Sequence, residues 1–171
     1  MDKLINALLF QIGWFICASS VKFDLELPAL SLCGLLILIH LIRSKNLTQE
    51  LSISALVVVL GIGVDSSFQY LQIIDFYGWH TATLSPFWDW MIWLMFALTL
   101  ESSLVFFKKM NWMRQALAGL VFSPVSYVAG SRLGAASFDA SLMHIAAIGV
   151  TWMLVFPGIF SLVQWINSEF E

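Results

Sequence analysis

Between Leu51 and Ile74 the chain runs for 24 residues with a single charged side chain, Asp65. An α-helix rises about 1.5 Å per residue and a bilayer core is about 30 Å thick, so such a run is long enough to span it. Runs of the same character recur along the chain, and six are read as helices: about 4–21, 28–43, 51–74, 86–107, 112–130 and 138–166. Apolar residues make up 60% of the 171 and charged residues 11%, against roughly 45–50% and 25% in soluble domains. Folding in water cannot hide that much apolar surface. The predicted fold class is all-α: a polytopic membrane protein, one bundle of six transmembrane helices, forming a single integral membrane domain over residues 1–171.

Local signals punctuate these runs. Pro28 suits a first helical turn, and Ser85-Pro86 predicts an N-cap followed by proline at the first helical position. The opening "MDKLINALLFQIGWFICASS" imitates a signal peptide, but Gln11 and Gly13 interrupt its apolar stretch, so a retained helix is expected. Cys17 and Cys33 both fall inside apolar runs and read as small membrane residues rather than a disulfide framework. "IGV" recurs at 62–64 and 148–150, too little to establish an inverted repeat.

Orientation follows from the eight basic residues. Lys3, Arg43, Lys45, Lys108, Lys109 and Arg114 fall at one set of helix ends, and only Lys22 and Arg132 at the other. The positive-inside rule makes the first set cytoplasmic, which puts both termini inside. The even helix number agrees. A net charge of −3 with no Lys/Arg tract excludes a nucleic-acid partner. His40, His80 and His144 have no metal-ligand spacing, and no phosphate loop or dinucleotide fingerprint is present. No metal and no cofactor are therefore expected. The Trp residues near helix ends, such as Trp79, Trp112 and Trp165, match an aromatic belt.

Charges within the membrane are costly and face the bundle interior. Gly61, Asp65, Gln69 and Gln72 recur at helical spacing and predict one inward stripe on the third helix. The stripe reads either as an interhelical hydrogen-bond clamp or as the wall of a site. Glu101 is the second acid at depth; it can lean on Lys108 as a snorkelling pair or exchange protons together with Asp65. Asp89 lies in a first turn, where an acid complements the helix dipole. In the fifth run Ala116, Gly119, Ser123, Ser126 and Gly130 form a small-residue seam, interrupted by Pro124. Arg132 follows among Gly130, Ser131 and Gly134, an arrangement suited to an anion or, in the blander reading, to anchoring at a headgroup or pairing with Asp139. His144 heads the sixth run.

"FQIGWF" at 10–15, "GIGVD" at 61–65, "SPFWDWMIWLMFALTLESSL" at 85–104 and "SPVSYVAGSRLGA" at 123–135 together resemble a family of small bacterial inner-membrane proteins of unknown function. The Pro-x-Ser-Tyr-x-x-Gly-x-x-Leu-Gly-Ala segment is the most specific of these. The resemblance implies an association with genes that modify membrane fatty acids, and it brings no catalytic residues with it.

Three functions follow. The first is a lipid- or small-anion-handling protein, accessory to fatty-acid modification, with an outward-opening polar pocket between helices three to six. Asp65, Gln69, Tyr127, Arg132 and His144 would line that pocket, and its partners would be membrane lipids, including an anionic lipid or small anion. The second is a small proton-coupled transporter using Asp65 and Glu101. The third is a scaffold for membrane-protein partners or for further copies of itself. The polar residues concentrate toward the outer half, which favours the first. Enzymatic activity is left open.

Overall fold

The computed structural model describes residues 2–81 and 83–170. It has six α-helices: α1 Lys3–Ser20, α2 Glu26–Ile42, α3 Leu47–Tyr70, α4 Phe87–Ala97, α5 Trp112–Leu133 and α6 Leu142–Glu169. Two-residue strands β1 (Asp75–Phe76) and β2 (Ala136–Ser137) pair antiparallel, Asp75 opposite Ser137 and Phe76 opposite Ala136. Four segments are long and apolar enough to cross a membrane: Lys3–Phe23, Leu47–Tyr70, Trp112–Leu133 and Leu142–Glu169. The apolar α2 and α4 are shorter.

Polar side chains define most helix starts. Asp2, Asn46, Asn111 and Ser141 each accept from a backbone N–H of the first turn, satisfying a donor the helix itself leaves open. The fourth start differs from expectation. Pro86 is the N-cap and Phe87 the first helical residue, while Ser85 N donates instead to Ser66 Oγ (2.9 Å). The third helix also ends earlier than its apolar run. Gln72 adopts a left-handed φ of 57°, and Ile73 N reaches back to Phe68 O (2.9 Å), closing the helix after Tyr70. Gln72 therefore leaves the stripe that Gly61, Asp65 and Gln69 share.

The largest departure lies in the fourth run. A continuous helix was expected over 86–107, yet α4 stops at Ala97 and the chain continues through turns into a 3-10 segment, Val105–Lys109. Thr99 Oγ1 donates to Phe96 O (2.6 Å), the kind of local bond by which Ser and Thr compete with a helical ladder. Amides from three other helices take up the groups left open. Asn6 Nδ2 donates to Leu98 O (3.3 Å), and Asn6 Oδ1 accepts from Ser103 N (3.3 Å) and Ser103 Oγ (2.6 Å). Gln115 Nε2 donates to Phe107 O (2.9 Å) and Gln164 Nε2 to Lys108 O (3.1 Å). A broken helix is tolerable in an apolar medium only when its backbone groups are met in this way.

These contacts, with Gln49 Nε2 to Asn167 Oδ1 (2.7 Å), gather the start of α1, the α2–α3 turn, the 3-10 segment and the end of α6 at one end of the bundle. The β1–β2 ribbon marks the other end. There Trp79 N donates to Glu26 Oε1 (2.8 Å) and Trp88 Nε1 to Tyr77 O (2.8 Å), tying the α3–α4 loop across the helices. Near the ribbon end α1 and α2 meet through free Cys17 and Cys33, their sulfurs 3.5 Å apart. Around the middle, α5 and α6 approach closely at Gly119, where any Cβ would strike the Trp152 backbone.

Candidate functional site

Asp65 sits on α3 and is 2% exposed. One turn earlier, Gly61 leaves room that the Trp93 ring of α4 occupies, and a Cβ there would collide with that ring. The close approach brings Trp93 Nε1 to Asp65 Oδ2 (2.6 Å). From α5, the Tyr127 hydroxyl donates to Asp65 Oδ1, and from α6 Trp152 Nε1 donates to the Tyr127 oxygen (3.2 Å). The Trp93 and Trp152 rings stack, centroids 5.4 Å apart and 8° from parallel. One carboxylate thus links four helices. A charge-assisted bond from each donor compensates part of the cost of burying it.

Asp89 completes the site and was not foreseen as part of it. It does lie in the first turn of α4, but it is 6% exposed and its carboxyl lies against that of Asp65. Its Oδ2 has no hydrogen-bond partner among the described residues. The spacing to Trp93 carried the signal: residues four apart share a helix face.

Both acids border a cavity of about 240 Å³. Its walls come from Phe10 and Trp14 of α1, Trp88, Ile92 and Phe96 of α4, the Gly119–Ser131 face of α5 and Trp152 and Phe156 of α6. Ile74, Phe76, Ala135 and Ala136 close it at the ribbon end. The lining reaches the surface at Phe122, 66% exposed, and at exposed Ser126, beside exposed Val121 and Val125. The opening lies on the flank of α5, among apolar side chains. The volume is somewhat below the roughly 300–1,000 Å³ of sites that enclose a whole drug-sized ligand, and suits a chain segment.

Of the five residues expected to line one pocket, Asp65 and Tyr127 do so. Gln69 lies one turn beyond Asp65, its Oε1 buried and unpartnered, but outside the cavity lining. Arg132 is exposed on the last turn of α5. His144 stands at the start of α6, its Nδ1 3.0 Å from Asp139 O. Glu101 lies at the opposite end of the bundle, where Lys108 Nζ bonds both of its oxygens (2.8 and 3.1 Å) and Asn167 Nδ2 bonds Oε1 (2.9 Å). Among the described residues no group of three His, Cys, Asp or Glu side chains is gathered as a metal site.

Residues 3–158 match the model of a family described as "Protein of unknown function (DUF2878)". No curated protein and no solved structure matches the chain.

Proposed function

The chain belongs to the DUF2878 family of proteins of unknown function, and from that premise we propose that it is an integral membrane protein that takes the acyl portion of a membrane lipid into the cavity beside Asp65. The observation that carries this reading is the position of the opening: an apolar cavity reaches the surface among Val121, Phe122 and Val125, a face that in a bilayer meets lipid chains. The resemblance to proteins associated with fatty-acid modification points to the same class of guest.

In this reading the chain crosses a bacterial inner membrane six times with both termini in the cytoplasm. Lys3, Arg43 and Lys45 border one polar cavity at the end that also holds Lys108, which supports that end as the cytoplasmic one. Arg132, exposed at the ribbon end, meets anionic headgroups at the outer surface. The transport alternative has less support. Trp93, Ala97 and Leu100 pack in an apolar cluster with Val57, Ile159 and Phe160.

Native mass spectrometry of the purified protein tests the reading. Gly130 borders the cavity and a Cβ there meets no neighbour within 4 Å, so Gly130→Leu adds bulk at the cavity edge. The wild type is expected to retain lipid and Gly130→Leu to lose most of it; equal retention by both would discard the cavity as the site. Arg132→Gln is expected to lose anionic lipids selectively, and an unchanged lipid profile removes Arg132 from the reading. Thiol labelling of His80→Cys from the periplasm and Lys45→Cys from the cytoplasm checks the topology, and the reverse pattern would invert it.

A further inference from the structure

The cavity has a chemical sign. Its lining includes two buried carboxyl groups, Asp65 and Asp89, and no lysine, arginine or histidine. Asp65 already accepts from Trp93 and Tyr127. Asp89 lies against Asp65, its Oδ2 buried without a hydrogen-bond partner among the described residues, and a buried acidic pair of this kind is costly until a counter-ion reaches it. Around these acids stand the rings of Phe76, Trp88, Trp93 and Tyr127, Trp88 and Phe76 meeting edge to face with centroids 6.0 Å apart. Aromatic faces attract a desolvated cation. An anionic head placed here would face like charge with no counter-ion, which excludes it more firmly than a neutral one.

We propose that the cavity is an amine site: it binds the protonated primary amine of a single-chain amphiphile, with the ammonium donating to the Asp89 carboxyl and the hydrocarbon chain leaving past Phe122. An ammonium brings three donors and one positive charge, so it meets the Asp89 carboxyl and offsets the acidic pair in one contact. The aromatic rings then cover its remaining surface. This assignment builds on the lipid-chain reading of the cavity and names the head that the chain carries.

The test uses the full-length protein in nanodiscs and three twelve-carbon probes: dodecylamine, dodecanol and dodecanoate. Binding is read from the fluorescence of the tryptophans around the cavity, with Gly130→Leu as the background for partition into lipid. Dodecylamine is expected to bind at least tenfold more tightly than dodecanol, and dodecanoate to give no signal above background. Asp89→Asn is expected to lower amine affinity to that of the alcohol, while Asp89→Glu retains part of the preference. Equal affinity for amine and alcohol, or an Asp89→Asn protein that still prefers the amine, overturns the amine assignment and leaves the lipid-chain reading standing. Binding of none of the probes above background, together with no co-purified lipid, overturns both. Should Asp89→Asn fail to fold, the ranking of the three probes on the wild type decides the matter alone.

Discussion

Two acidic centres occupy opposite ends of this bundle, and they differ in how completely they are partnered. At the termini end, Glu101 is bonded by Lys108 and Asn167, Asn167 by Gln49, and Gln49 in turn by Asn46 (3.0 Å). The broken α4 around it has amides from Asn6, Gln115 and Gln164 on its open backbone groups. At the cavity end, Asp65 is satisfied by Trp93 and Tyr127, but its neighbour Asp89, which also lines the cavity, has a buried Oδ2 with no hydrogen-bond partner among the described residues. Depth in the membrane therefore does not distinguish a structural acid from a functional one. The distribution of partners does: a closed network holds backbone together, whereas the incompletely partnered acid beside the cavity is the one to which the proposed ligand is assigned.

That contrast predicts stability effects of opposite sign. The largest effect is expected at Asn6, which serves both sides of the α4 break. Asn6→Leu leaves buried backbone and hydroxyl groups unmet, at about 1–3 kcal/mol for each such group, and should lower stability by roughly 3 kcal/mol in total. Unfolding in detergent measures this, and a loss below about 0.5 kcal/mol would show that the break is held by other means. Glu101→Gln comes next. It keeps an acceptor for Asn167 but removes the partly exposed ion pair with Lys108, a change of about 1 kcal/mol. Amphiphile binding should be unaffected, and a change in it would tie the two ends together after all. The smallest effect is expected at Asp89→Asn, where an amide replaces a carboxyl buried against that of Asp65 and should leave stability unchanged or raise it by about 0.5–1 kcal/mol, even as amine binding is lost. A large destabilisation there would place Asp89 among the structural acids.

The helical elements were legible because their signals are local. Each apolar run contains an α-helix, the fourth only as far as Ala97, and Asp2, Asn46, Asn111 and Ser141 cap four of the starts. The pairing of Glu101 with Lys108 could be read from two turns of spacing, although turns and 3-10 backbone, not regular α-helix, bring the two together. The break in α4 was not legible. "MIWLMFALTLESSL" contains neither proline nor glycine, and its departure from the helix is supported by Asn6, 92 residues from Leu98 in sequence. Asp89 was hidden for a similar reason, since an acid in a first turn has a sufficient local explanation until its neighbour across the helix crossing is known.

Sequence alone determined that this chain carries apolar helices able to enter a bilayer and that Asp65 turns inward. These follow from the transfer of each segment's own side chains and from contacts within a turn or two of the chain. Only the tertiary structure decided which polar atoms find partners. That depends on crossings between helices distant in sequence: Asp65 meets Trp93 because Gly61 admits the indole ring, and meets Tyr127 from 62 residues away. Arg132 and His144 share polar character with these residues but lie outside the cavity lining, because the packing of α5 and α6 turns Tyr127 and Trp152 toward the cavity instead.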